Sequence, residues 1–142
     1  MTKHILCAVD LTNMEDAKAL LAEADRLATR DGAGLSVATV LPDYGSSWVG
    51  SFFKDGTLKE ASQAALKALH DLADAVTTQP DKVQCIVEIG TAYEEILAAA
   101  KACKADLIVV GAHKPRLDDR ILGPNAARIA RYADVSVLVI RR

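Results

Sequence analysis

Aromatic residues make up only 4% of the 142-residue chain, so its interior must be filled by Ala, Val, Leu and Ile, the bulk of an apolar fraction of 51%. Neither sign of charge dominates. With 17 basic and 19 acidic residues the net charge is −2, which excludes a general attraction for nucleic acid or an anionic membrane; any anion site must be built locally. Cysteine is sparse. Cys7, Cys85 and Cys103 are odd in number, far apart and free of any CxxC or Cys/His pairing in the sequence, and they are read as reduced core residues. No run approaches the ~20 apolar residues that span a bilayer. Met1-Thr2-Lys3-His4 leads into a strand pattern without a signal-peptide cleavage site, so the expectation is a cytoplasmic protein with no membrane insertion. Also missing are a P-loop, a GxGxxG fingerprint, a nucleophile-elbow serine and a metal-ligand cluster, the usual sequence marks of nucleotide turnover, dinucleotide, acyl and metal chemistry.

What is present is alternation. Residues 4–9 form a short apolar run ending at Asp10, and Thr12-Asn13-Met14-Glu15 has the Thr-x-x-Glu form of a capping box. Over 15–31, Ala17, Leu20, Leu21, Ala24, Leu27 and Ala28 recur at three- and four-residue intervals before Asp31-Gly32. Residues 34–41 predict a second strand ended by Pro42. The segment 43–56 has neither period and gathers Tyr44, Trp48, Phe52 and Phe53; it is read either as a lid on a ligand or as a cluster packed on the protein or a partner. A helix over 58–76 follows, with Leu58, Ala61, Ala65, Leu69, Leu72 and Val76 on one stripe, then a strand over 83–88. Thr91 and Glu94 suggest a second capping box, opening a helix that reaches Cys103. Residues 105–110 read as a strand buried on both faces, Gly123-Pro124-Asn125 opens a helix to Tyr132, and 135–140 is the last strand.

Five strands alternating with four helices select one α/β domain over residues 1–142. The expected form is a doubly wound parallel sheet with right-handed crossovers and helices on both faces. For the order 3-2-1-4-5, strands one and four flank the crevice where strand order reverses, the place where such sheets take ligands. Those strands end at Asp10 and Gly111. Gly111-Ala112-His113-Lys114-Pro115-Arg116 adds a small residue and basic groups, and Gly123-Pro124-Asn125-Ala126 begins a helix whose first N–H groups lack intrahelical partners. These features suit a polyphosphate.

Three stretches carry a resemblance: Val9-Asp10, the run Leu107 to Pro115 (LIVVGAHKP), and the run Leu122 to Arg141 (LGPNAARIARYADVSVLVIR). Together they resemble a universal stress protein over essentially the whole chain, with the fold termed adenine nucleotide alpha hydrolase-like. The ATP-binding branch of that family is marked by Gly, two residues, Gly, nine residues, then Gly followed by Ser or Thr. Gly111 and Gly123 match its outer glycines, whereas Lys114 replaces the middle one, the loop is one residue shorter and Pro124 replaces the hydroxyl residue. The shorter His-Lys-Pro loop resembles the F/G-like members. The resemblance implies Asp10 near the ribose, the Val40 backbone against the adenine edge, and Gly111, His113, Gly123, Asn125 and Ala126 around the phosphates. Lys114 and Arg116 join the site on charge alone.

Three functions stay open at this stage. The first is a regulatory module holding ATP, ADP or AMP, with or without Mg2+, and working with a regulatory protein partner. The second is a slow ATP hydrolase, for which His113 and Asp118 are the local candidates. The third is a nucleotide-free interaction protein, favoured by Lys114 and Pro124. All three share a homodimer through Val135–Ile140, which is apolar on both faces and would otherwise be an open edge.

Overall fold

The computed structural model describes residues 2–42, 55–112 and 124–141. In chain order the elements are β1 (His4–Ala8), α1 (Met14–Asp31), β2 (Gly34–Leu41), α2 (Asp55–Val76), a 3-10 turn (Pro80–Lys82), β3 (Gln84–Ile89), α3 (Ala92–Ala102), β4 (Leu107–Gly111), α4 (Pro124–Tyr132) and β5 (Ser136–Ile140). All four strand pairings are parallel and the order is β3-β2-β1-β4-β5. The fold is the five-stranded doubly wound sheet that the alternation predicts.

Period-two alternation divides the sheet between two aliphatic cores. Ile5, Cys7, Val37 and Val109 face α1 and α2, where they meet Leu20, Leu21, Leu69 and Leu72. Leu6, Ala38, Ile108 and Val110 face α3 and α4, where they meet Ile96, Ala99, Ala126 and Ile129. Central strands covered on both faces need a continuous apolar sequence, which explains the unbroken runs at 5–7 and 108–110. α1 stops because Gly32 adopts a left-handed φ of 66° and its N–H bonds back to the last turn, while Ala33 N–H reaches the Ala28 carbonyl at 2.8 Å.

Several local expectations need correction. The cap of α1 sits one residue later than the Thr12–Glu15 box: Asn13 Oδ1 accepts from Asp16 N at 3.3 Å, and Asn13 Nδ2 donates to Asp16 Oδ2 at 2.7 Å. The Thr12 side chain is turned instead to Asp10, to which both its hydroxyl and its N–H donate. Thr91 is the N-cap of α3 but makes no side-chain cap bond, and Glu94 accepts instead from the Tyr93 hydroxyl. On α2 the buried residues are Ala65, Leu69, Leu72 and Ala73, while Ala61 is exposed. Of the cysteines only Cys7 is fully buried, and burial pushes its thiol far up; Cys85 and Cys103 are half-buried. The aromatic residues 44–53 lie outside the described residues. Among the described residues no helix is long and apolar enough to cross a membrane.

Candidate functional site

Because all five strands run parallel, their carboxyl ends share one edge of the sheet. β1 lies between β2 and β4 at its centre, and strand order reverses between β1 and β4. β1 is held at its exit by two bonds from β2: Val9 N–H donates to the Ala38 carbonyl at 2.9 Å, and the buried Thr39 hydroxyl donates to the Val9 carbonyl at 3.0 Å. Thr39 is 5% exposed, so its hydroxyl has to be satisfied inside the protein, and that bond fixes the peptide from which Asp10 emerges.

Asp10 itself is exposed. Its Oδ1 accepts from Thr12 N at 2.9 Å and from Thr12 Oγ1 at 2.7 Å, and its carbonyl accepts from Asn13 N at 3.2 Å, forming an Asx turn. One carboxylate oxygen therefore sets the orientation. The other, Oδ2, makes no hydrogen bond among the described residues. An acceptor-only group held in this way suits hydroxyl or amino donors and repels phosphate.

Gly111 ends β4 opposite Ile140, and Ala112 N–H closes the strand on the Ile140 carbonyl at 2.9 Å. Among the described residues, a Cβ built on Gly111 would meet only Leu20 Cδ2 of α1, at 3.7 Å, an ordinary contact. The packing of the fold does not demand glycine there, and a bare backbone at that point is open to a ligand. Val40 lies one residue before the end of β2, half-buried and in register with Glu88. In the first turn of α4, Asn125 is exposed and Ala126 is buried in the second core.

The fold thus places Asp10, Val40 and Gly111 on one edge, at the ends of adjacent strands. His113, Lys114, Arg116 and Gly123, like Asp118, lie outside the described residues. Sequence reasoning missed Thr12 and Thr39 as parts of this edge. The available signals were a hydroxyl residue within the buried run Val37-Ala38-Thr39-Val40 and the Asp-x-Thr spacing, which is an Asx-turn pattern as much as a helix start.

Comparison with known proteins agrees with this fold. The model of the universal stress protein family matches residues 1–141. The universal stress protein G of Shigella flexneri is 29% identical over 143 residues, covering 99% of this chain and all of that protein. Among solved structures, a universal stress protein in complex with cAMP superposes with a TM-score of 0.72 at 22% identity, covering 98% of this chain and 97% of that one. The universal stress protein from Archaeoglobus fulgidus in complex with dAMP gives a TM-score of 0.66 at 22% identity, with 97% of both chains covered. With a whole-length family match and a sheet wound in the expected order, the chain belongs to the universal stress protein family.

Proposed function

We propose that this chain holds an adenine nucleotide, ATP in preference to ADP or AMP, in the crevice between β1 and β4, and acts in the stress response as a dimeric regulatory module in the cytoplasm. The observation that carries this reading is the preset Asp10 carboxylate, with one oxygen held by Thr12 and the other without a hydrogen bond among the described residues, on the same edge as Gly111, whose backbone has no close neighbour among those residues. Asp10 fits ribose hydroxyls and the Val40 backbone the adenine edge. Phosphates fall to the other side of the crevice, toward His113, Lys114, Arg116, Gly123 and the start of α4 at Asn125 and Ala126. Mg2+ would offset the charge that those basic groups leave. The two superposing proteins that bind cAMP and dAMP support the adenine part of the assignment.

The dimer reading rests on β5, an edge strand with Leu138 37% exposed and no strand on its outer side among the described residues. A nucleotide could then favour one dimeric or partner-bound state through its differential affinity. Sedimentation should show a dimer in the wild type and a monomer in Leu138→Lys; a monomeric wild type at about ten micromolar would remove this part of the proposal.

The test of the nucleotide is to denature the purified protein, identify any released small molecule by mass spectrometry, and titrate the stripped protein with Mg-ATP, Mg-ADP and AMP by calorimetry. Micromolar binding with ATP preferred is expected. No binding of any of the three supports the second reading, a nucleotide-free interaction protein. The substitutions at Lys114 and Pro124 favour that reading, since proline removes a hydroxyl and an N–H from the phosphate side.

A further inference from the structure

Gly90 joins β3 to α3 and is constrained twice over. Its φ of 146° lies where L side chains are rarely found, and among the described residues a Cβ built on it would sit 3.1 Å from Glu95 Cγ. Gly32 shares the positive φ but has open space at its Cβ position; Gly34 shares the crowding without the positive φ. The Glu95 contact is relieved only by a new Glu95 rotamer or by moving α3, which Ile96, Ala99 and Ala100 anchor in the second core.

This turn bears on the end of β2. Gly90 N–H donates to the Leu41 carbonyl at 3.0 Å, the last rung between β2 and β3. On the other side of β2 the ladder stops sooner: β1 stays in register only to Ala8, opposite Ala38, and its final rung runs from Val9 N–H to the Ala38 carbonyl. β2 therefore overhangs β1, and among the described residues β3 alone pairs with the overhang. The backbone groups of successive strand residues point to opposite neighbours. Ala38 is turned toward β1 and Leu41 toward β3, so Val40 aims one N–H donor and one carbonyl acceptor past the exit of β1, where Asp10 emerges.

We propose that Gly90, covered by Glu95, is a positioning residue for base selection. It lets α3 begin close against the sheet, keeps the last β2–β3 rung closed and so fixes the Val40 backbone edge. The inference rests on the nucleotide reading above. Adenine offers a ring-nitrogen acceptor beside an amino donor, which one N–H and one carbonyl can match; guanine offers its acceptor and donor in the opposite order. An edge held still distinguishes the two bases, and an edge that shifts accepts either. Gly90 touches no ligand in this scheme and acts through Leu41 and Val40.

The test titrates full-length wild type, Gly90→Ala and Glu95→Ala with Mg-ATP, Mg-GTP and Mg-dATP by calorimetry. Wild type should prefer ATP to GTP at least about tenfold, the discrimination that one bidentate base contact supplies. Gly90→Ala should lose most of that preference, with ATP weakened and GTP little changed. The penalty for the missing ribose hydroxyl of dATP, which reports on Asp10, should stay as in wild type. Glu95→Ala leaves the Gly90 backbone intact and should lower the preference severalfold; it decides the matter if Gly90→Ala does not fold. A wild type that binds none of the three nucleotides removes the nucleotide reading and this inference together. A wild type that binds ATP and GTP alike, or variants that melt earlier yet keep the wild-type ATP-to-GTP ratio, overturn this inference alone.

Discussion

The two ends of the sheet treat their polar groups differently. At the amino end, Asp106 accepts from Lys3 N at 2.9 Å and His4 N at 3.1 Å, His4 Nε2 lies 2.7 Å from the Ser36 hydroxyl, and Ser36 donates to Gln84 Oε1 at 2.9 Å. Since the Ser36 proton goes to Gln84, His4 Nε2 must carry the hydrogen it shares with Ser36. The contact looks like a base beside a nucleophile but runs the opposite way, and Ser36 is 0% exposed. Even the glycine at this end is structural, because a Cβ on Gly34 would lie 2.5 Å from His4 Nδ1. At the carboxyl end, among the described residues, Asp10 keeps an oxygen without a hydrogen bond and a Cβ on Gly111 makes only an ordinary contact. A polar cluster whose members satisfy one another holds strands in register; one left open at a topological switch point is available to a ligand.

That contrast can be broken at its strongest point first. Asp10→Ala should lower adenine-nucleotide affinity about ten- to a hundredfold, the loss of a hydrogen bond to a charged group, with melting almost unchanged. Ser36→Ala should do the reverse, costing about 1–2 kcal/mol of stability and leaving calorimetric affinity alone. If both variants behave alike, the ends do not differ in kind.

The glycines sharpen the same point. Gly34→Ala pushes the His4 ring off Ser36 and should cost about 1–2 kcal/mol in urea unfolding. Gly111→Ala should stay within about 0.5 kcal/mol of wild type while weakening nucleotide binding, and a large stability loss there would assign Gly111 to the fold instead. Thr39→Val belongs to both categories. Its hydroxyl is satisfied but holds the Val9 carbonyl, so about 1 kcal/mol of stability and a severalfold drop in affinity should be lost together.

The smallest effect is on pH dependence at the amino end. Burial outweighs the nearby Asp106 charge and lowers the His4 pKa below its ordinary 6.5. The unfolded chain therefore takes up this proton first. The contribution of His4 to stability is complete above 6.5 and declines as pH falls through 6.5 toward the folded value. Asp106 is lowered by the His4 and Lys3 N–H bonds, so its contribution is present above 3.8 and lost in stronger acid. Comparing urea midpoints at about pH 5 and 8, His4→Gln should lose less stability on acidification than wild type.

Much of this architecture was legible before any coordinates. β2 matches its predicted span of 34–41, and α1 ends at the Asp31-Gly32 stop. These features are local: an apolar run ended by proline, a stripe of period 3.6 ended by a glycine free to adopt positive φ. The cap register of α1 was not legible, because Thr12 and Asn13 are both good caps, and in the fold Thr12 is turned to Asp10 while Asn13 caps Asp16. Nor was the burial of Cys85 and Cys103 legible, since an apolar sequence context does not reveal which side of an edge strand or helix end is left open.

The sequence by itself determined the alternation of strands and helices, the aliphatic interior and the place of Asp10 and Gly111 just after or at the ends of β1 and β4, because hydrophobic period and chain punctuation are properties of consecutive residues. Only the tertiary structure decided that Thr39 anchors the exit of β1 and that Ser36 joins His4 to Gln84. Each of these pairs lies 30 to 48 positions apart. Hydrogen-bond geometry at such separations is set by strand register and helix placement, which the packing of both cores fixes together.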